Sequence, residues 1–422
     1  MFPLLQNERE FHKPTSVIDA HRSPNFGDVN VNLFTIDGME KIRRIYRDTR
    51  AERGESADSK HPESERSFFD YIYNFDDDYL RNPLWTWEDD KIQDEKTCRR
   101  NAWHRRSPMD CNSMHELDLQ GLLTEGKMNA LGKGGFRDVF LVRHGDGRNF
   151  EEVVFKQYHF DSNYDHEDFE YMRVDSLVTE LFTSSPLFLN IYSNCGLSTM
   201  AEAMGDGCVE DYAVPLQKER GYIELNDKDD VDPKNNLTIT QKVNFALDMA
   251  ESLAMMHNYP GGVIVHDDVH LEQFLLTKDH MHVRIQDFNR AEIMLWNSDD
   301  EEYCRYRNGP GHGTWRSPEE YRDLPLNEKI DVWSLGSNLY AMLTGLNPFY
   351  EIESEKAVKQ KIKEGKIPSI DPRYRKRSLG EQKLVEAIEH CWVVDPNKRG
   401  NIYDVVKILR EAAKNPTGKA TL

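Results

Sequence analysis

The sequence predicts an α+β protein of two lobes, a β-rich first lobe and a helical second lobe, behind a mostly irregular N-terminal extension. Three observations predict it. From about Leu122 the apolar residues alternate with the period of strands, and beyond about Gly205 they recur with the period of helices. Residues 1–115 are charged and carry little apolar period at all. Strands gathered first and helices gathered after them segregate into an α+β arrangement, unlike the alternating pattern of a parallel sheet. The expected bounds are an extension at 1–115 and a folded domain at 122–414, divided into lobes at 122–204 and 205–414.

The extension is marked by "DTRAERGESADSKHPESERS", whose composition cannot bury a core. The aromatic clusters "FFDYIYNF" and "LRNPLWTWEDD" are expected to dock as short helices at most. "MNALGKGGFRDVFLVRHGDGRNFEEVVFKQYHF" then alternates, with Gly-Asp-Gly as a hairpin turn. "HEDFEYMRVDSLVTELFTSS" has helical spacing of Met172, Leu177, Val178, Leu181 and Phe182, and Pro186 ends it. "PLFLNIYSNCGLSTMAEAM" returns to strands, and the join between lobes falls at Met204–Gly207. A long helix starting at a Thr in "LTITQKVNFALDMAESLAMMHN" follows, with further helices at "DVWSLGSNLYAMLTG" and "LVEAIEHCW".

Composition excludes several classes of function. A chain of 422 residues that is 38% hydrophobic has ample apolar content for a core. Its net charge of −20 argues against nucleic acid and anionic membrane as partners, since both demand basic patches. Six cysteines (Cys98, Cys111, Cys195, Cys208, Cys304 and Cys391) include no C-x-x-C pair, so neither a zinc site nor a disulfide framework is implied. The first residues lack the apolar core of a signal peptide, and no run of about 18 apolar residues suggests a membrane span. The expectation is a cytoplasmic protein, with nucleus and secretory lumen left open.

Two features carry chemistry. In "LGKGGFRDVFLV" glycines 132 and 134 let a backbone turn tightly and approach phosphate oxygens. No Gly-Lys-Ser/Thr and no helix follow, so the alternative of a strand–loop–helix phosphate site fails. Lys156, ending "VVFK" on the next strand, is placed to reach phosphates under that hairpin. Downstream, "VHDDVHLEQFLL" at 265–276 joins His266-x-Asp268 to a carboxamide, Gln273, five residues after the Asp.

With Asp287–Phe288–Asn289 added, the ordered anchors "LGKGGF", "VVFK", "HDDVHLEQ", "QDFN", "GTWRSPEE", "DVWSLG" and "CWVVDPNKRG" resemble the eukaryotic protein kinase family over about 122–414. "GT-x-R" before "SPE" and "CW" before "DP" are most similar to its tyrosine-kinase-like serine/threonine branch. The resemblance implies ATP and Mg²⁺ as cofactors and a protein as substrate. It implies Asp268 as the catalytic Asp and Lys156 as the lysine holding the α- and β-phosphates. Gly132, Lys133, Gly134, Gly135 and Val139 would line the nucleotide, and Glu202 and Met204 would offer backbone hydrogen bonds to adenine. On that register Ala201 is a small gatekeeper that opens an apolar back pocket. Asp287 and Gln273 would hold Mg²⁺. "SPE" with Arg399 implies a buried ion pair, and Asp331 a brace beneath the catalytic loop.

The departures are also specific. Gln273 replaces an Asn and adds a methylene, while Mg²⁺ tolerates little deviation from octahedral geometry. His270 stands in place of a phosphate-contacting lysine. Asn289 replaces a glycine that permits positive φ, which Asn tolerates best among other residues. Asp267 replaces an arginine that captures a phosphorylated loop, and would repel such a phosphate. Arg137, at a third glycine position, has two readings: a guanidinium near the phosphates, or a solvated charge on the hairpin. Asp175 and Glu180 are the acids on offer as partner to Lys156, and neither is assigned. The readings in competition are a protein kinase acting on Ser or Thr, a pseudokinase serving as nucleotide-binding or scaffold module, and a kinase for a small-molecule acceptor. Lys156, Asp268 and Asp287 favour the first.

Overall fold

A computed structural model describes residues 85–86, 98–100, 114, 118–146, 149–159, 166–205, 207–216, 232–309 and 311–420. Most of the extension, including the "FFDYIYNF" cluster, lies outside the described residues. Its described pieces include two short strands, β1 (Trp85–Thr86) and β2 (Cys98–Arg100). The "LRNPLWTWEDD" cluster, expected to dock as a short helix, supplies strand β1 instead. The reason is an available edge: β2 pairs antiparallel with β12 (Trp296–Asn297), which is hairpinned to β13 (Glu302–Tyr303). An unpaired strand edge is a template for any extended chain nearby.

The first lobe opens with α1 (Leu119–Thr124), capped by the Asp118 carboxylate on the Gly121 N–H. Five antiparallel strands follow: β3 (Met128–Lys133), β4 (Arg137–Asp146), β5 (Asn149–Tyr158), β6 (Ile191–Cys195) and β7 (Ser198–Glu202). Their order in the sheet is β3-β4-β5-β7-β6. The β-branched and aromatic runs "VFLV" and "VVF" occupy its middle, where such side chains pack best on a pleated surface. Register runs from Arg137 opposite Tyr158 to Asp146 opposite Asn149, which places Val139 opposite Lys156. One face buries Val142, Val153, Phe155 and Met200 with Leu122 and with Met114 from the extension. Helix α2 (His166–Leu181) carries Glu167 and Asp168 in its first turn, favourable to the helix dipole, and buries Met172, Leu177 and Val178.

The second lobe is built on helices. α3 (Val209–Ala213) leads to α4 (Ile239–His257), whose N-terminus is a reciprocal box of Thr238 and Gln241. Small antiparallel pairs follow: β8 (Ile264–Val265) with β11 (Glu292–Ile293), and β9 (Phe274–Leu276) with β10 (Val283–Ile285). Then come α5 (Pro318–Tyr321), α6 (Lys329–Thr344), α7 (Glu355–Lys363), α8 (Tyr374–Arg377), α9 (Leu379–Cys391) and α10 (Ile402–Lys414). α6 is buried along almost its whole length, as expected of a helix apolar on every side. The expected ion pair is present: Arg399 donates to both oxygens of Glu319, at 2.6 and 3.0 Å, with both side chains buried.

Backbone bonds tie the lobes where the site lies. Leu189 N–H donates to Ile285 O at 3.1 Å and Ile285 N–H to Leu187 O at 2.9 Å. Gly205 N–H donates to Leu276 O, and Leu276 N–H to Gly207 O, both at 3.2 Å. The cysteines differ from expectation. Cys195 and Cys304 are disulfide-bonded, whereas Cys208 and Cys391 are free. Scattered spacing carries no pairing information, because a bond needs only that the fold bring two sulfurs together.

Candidate active site

A cleft of about 620 Å³ lies between the sheet and the β9–β10 pair. Cavities of this size hold small-molecule ligands. Gly134, Gly135, Arg137, Val139 and Lys156 line it from the sheet, Glu202 and Met204 from the join, and Gln286 and Asp287 from the second lobe. The hairpin closes tightly, with Gly134 N–H on Arg137 O at 2.8 Å. Gly132 and Lys133 sit on β3 opposite Val139 and Asp138 and do not line the cleft. Ala201 is buried opposite Val154, on the pleat that faces the cleft. The Glu202 N–H is committed to Asn190 O at 2.9 Å, so a ligand edge could take only the carbonyl of that residue.

The loop at 265–276 is held from below. Asp331, in the first turn of α6, accepts from the N–H of His266 at 2.8 Å and of Asp267 at 3.0 Å, and pairs with His257 Nε2 at 2.8 Å. With both loop amides taken by one buried carboxylate, Asp267 is held at φ +60°, a conformation few non-glycine residues adopt. His266 lies wholly inside. Its Nδ1 accepts the Asp268 N–H at 3.3 Å and its Nε2 meets Gln286 O at 3.2 Å. Burial lowers its pKa, so the ring is neutral, with the proton on Nε2.

Asp268 projects into a ring of polar partners. Arg316 Nη2 donates to its Oδ1 at 2.6 Å, Gln273 Nε2 to its Oδ2 at 3.3 Å, and His270 Nε2 stands 3.6 Å from Oδ2. Burial alone would raise the pKa of Asp268. The His270 imidazole and the Arg316 guanidinium outweigh it and hold the carboxyl well below the usual carboxylate range. Gln273, the longer carboxamide, also meets His270 Nε2 at 3.1 Å. With its amide nitrogen turned to Asp268, its oxygen is directed elsewhere.

Arg316 itself is fixed on four sides. It donates to His312 O at 2.9 Å, Asp267 O at 2.7 Å and Glu320 Oε1 at 3.1 Å, besides Asp268. Trp315 beside it lies against His270, ring centroids 4.7 Å apart. Gly313 lets that ring in: at φ +92°, a Cβ there would fall 1.8 Å from the Trp315 ring.

Asp287 and Phe288 form the second arm. Asp287, not Asn289, takes the left-handed conformation, at φ +61°. The cause is the anchoring of the next residue. Phe288 N–H donates to Asp175 Oδ1 at 2.7 Å, and its ring packs on His266 and Phe188, with centroids at 5.2 and 6.0 Å.

The largest departure from expectation concerns Arg137, Lys156 and Asp175. Arg137 is not a solvated charge on the hairpin; it is 5% exposed, and its Nη2 donates to Asp175 Oδ2 at 2.5 Å, with Asp287 Oδ1 at 3.7 Å. Lys156 instead hydrogen-bonds the Gln286 Oε1 at 3.0 Å. Burial lowers the Lys156 pKa, and the neighbouring Arg137 lowers it further. The sequence held a signal for the burial of both residues. Asp175 lies three residues from Met172 and three from Val178, inside the apolar stripe of α2, and Arg137 sits two residues before Val139 on the inward pleat of β4. A charge on an inward position is buried with a partner or not at all. Arg316 left no comparable signal, because it comes from an irregular segment.

Residues 126–409 match the family model described as protein kinase domain. The serine/threonine-protein kinase VIK of Arabidopsis thaliana is 32% identical over 180 residues, which is 42% of this chain and 39% of that protein. The serine/threonine/tyrosine-protein kinase HT1 of the same plant is 27% identical over 181 residues, 42% of this chain and 41% of that one. The putative mitogen-activated protein kinase kinase kinase 7-like protein of Drosophila melanogaster is 29% identical over 190 residues, 44% and 45% of the two chains. The chain thus spans less than half the length of these relatives. Among the described residues no helix is long and apolar enough to cross a membrane.

Proposed function

The chain belongs to the protein kinase domain family, and from that premise we propose that it transfers the terminal phosphoryl group of ATP to a Ser or Thr hydroxyl of a protein. The observation that carries the proposal is the setting of Asp268: its loop is braced from α6 through the His266 and Asp267 amides, and its carboxylate is paired with Arg316 at 2.6 Å. Phosphoryl transfer asks for positioning and charge compensation more than for covalent help from the protein. In this reading the Asp268 carboxylate accepts a hydrogen bond from the acceptor hydroxyl and takes its proton as the oxygen attacks phosphorus. The adenine end rests against Val139 and Met204, and the phosphates lie under Gly134 and Gly135.

The site fits Mg²⁺ by its donor chemistry. Asp287 Oδ1 is buried without a hydrogen-bond partner among the described residues and is a hard donor of the kind this ion takes, whereas Gln273 would have to turn its carboxamide over to present an oxygen. Among the described residues no cluster of three or more His, Cys, Asp or Glu could hold a metal unaided. That suits an ion held by one or two protein oxygens together with substrate phosphates. When bound there, it would neutralise charge on the phosphates. Thermal-shift titration of the full chain with ATP, with and without Mg²⁺, tests this assignment. Stabilisation by ATP that requires Mg²⁺ and is lost in Asp287→Asn supports it. Stabilisation indifferent to Mg²⁺ supports the nucleotide-binding pseudokinase instead.

A further inference from the structure

We propose that Arg137, rather than Lys156, is the principal cationic contact for the phosphates of the bound nucleotide. The proposal deepens the phosphotransfer reading and rests on it. It begins with the sheet. Val139 and Lys156 are directly opposed across β4 and β5, so Arg137 lies one pleat nearer the glycine hairpin on the same inward face. That places its guanidinium beneath Gly134 and Gly135, which line the same cleft.

The second observation is an unmet donor. One guanidinium nitrogen, Nη2, is taken by Asp175 at 2.5 Å, whereas Nη1 is buried and has no hydrogen-bond partner among the described residues. A buried charged donor left unmade is costly, so its persistence at a cleft wall points to an anion that completes it. A guanidinium is a planar fork matched to two phosphate oxygens, and its charge survives burial. Here the Asp175 carboxylate pairs with it at 2.5 Å and fixes the plane of the fork.

Lys156 is the weaker candidate on the same terms. Its ammonium is bonded to a neutral carboxamide, Gln286 Oε1, at 3.0 Å, whereas Arg137 keeps a donor unmet at the cleft wall. The acid on α2 also answers to Arg137. Asp175 holds Arg137 with one oxygen and the Phe288 N–H, at 2.7 Å, with the other. A phosphate on Arg137 therefore acts on the helix and on the Asp287–Phe288 turn together.

The test is binding of ATP and of adenosine to the full chain, measured by calorimetry at fixed Mg²⁺ for wild type, Arg137→Gln, Arg137→Lys and Lys156→Gln. The expected result is at least a ten-fold loss of ATP affinity in Arg137→Gln with adenosine affinity within two-fold of wild type. Lys156→Gln is expected to lose less than five-fold. Arg137→Lys keeps a charge opposite Asp175 and so guards against misfolding; it is expected to fall between wild type and Arg137→Gln. Loss in Lys156→Gln that equals or exceeds that in Arg137→Gln, or an Arg137→Lys chain that binds ATP as wild type does, overturns the proposal alone. A wild-type chain that binds ATP no better than adenosine overturns the phosphotransfer reading and this proposal with it.

Discussion

Arg316 donates to Asp268 across 2.6 Å, so the carboxylate at the heart of the site is paired by a residue 48 positions further along the chain. The pairing sets an ionisation state, and that state has a pH signature. Burial pushes the Asp268 pKa up, and His270 and Arg316 together hold it below the usual carboxylate range. Asp268 is then ionised throughout pH 5–9, and a fall in rate on acidification belongs to another group. Arg316→Met removes one of the holding charges, and an opposite charge at this range is worth about 1–3 pKa units. The pKa of the Asp268 carboxyl, followed by NMR titration, should move upward by about one unit or more. An unchanged carboxyl titration in Arg316→Met would show that the pair does not set the ionisation.

The charges around Asp267 are reversed from those of a phosphate-capturing loop. Asp267 is the acid, and the segment after it supplies the bases: Arg290 at 3.6 Å, Arg316 at 3.7 Å and an amide hydrogen bond from Asn308. The segment is therefore held to Asp267 by cations and an amide with no phosphate involved. Phosphatase treatment should leave activity unchanged, and Tyr303→Glu or Thr314→Glu should not raise it. Asp267→Ala leaves the buried Arg316 guanidinium and the half-buried Arg290 less compensated and should cost about 3–5 kcal/mol in chemical denaturation. A phosphomimetic that activates strongly, with the activation lost in Asp267→Ala, would contradict this arrangement.

Glu319 and Arg399 form a two-oxygen pair buried beneath α5, with the Arg399 guanidinium also 5.0 Å over the Trp333 ring. Removing either partner strands a buried charge, so Glu319→Gln and Arg399→Met should each destabilise by about 3–5 kcal/mol. The double variant should cost clearly less than the sum, because each residue is the reason the other's loss is expensive. Additive losses in urea unfolding would mean that the two act independently.

The cysteines offer a prediction of a different kind. Cys195 and Cys304 should resist alkylation under native, non-reducing conditions until a reductant is added. Reduction of a structural disulfide typically costs about 2–5 kcal/mol, which a lowered Tm would register. Disulfides persist chiefly in oxidising compartments, so a positive result bears on where the chain works. Both residues reacting at once without reductant would contradict it.

How much of this was legible in the sequence depends on where each residue lies. The lobes and their order were legible because alternation in "VFLV" and "VVF" and helical spacing in "LTITQKVNFALDMAESLAMMHN" are local signals. Asp268, Asp287 and Lys156 stood out through the order of the motifs that carry the family resemblance, and of these Lys156 and Asp287 line the cleft. Arg137 and Asp175 were each weighed alone, the first with two open readings and the second as an unassigned partner for Lys156, so their pairing with each other was not foreseen although both occupy inward positions. The union of Arg316 with Asp268, and of β2 with β12, joins segments far apart in the chain. Only tertiary folding brings such pairs together, and neither carries a local pattern.

The proposed role of Asp268 is in phosphoryl transfer. The most direct test is transfer of labelled γ-phosphate from ATP–Mg²⁺ to protein Ser or Thr by the full chain, with Asp268→Asn as the comparison and ATP binding measured in parallel. General-base assistance contributes about 10²–10⁴-fold. The account predicts labelling that falls by that order in Asp268→Asn while ATP affinity is kept. Labelling equal in the two chains, or none in a wild-type chain that binds ATP–Mg²⁺, would contradict it.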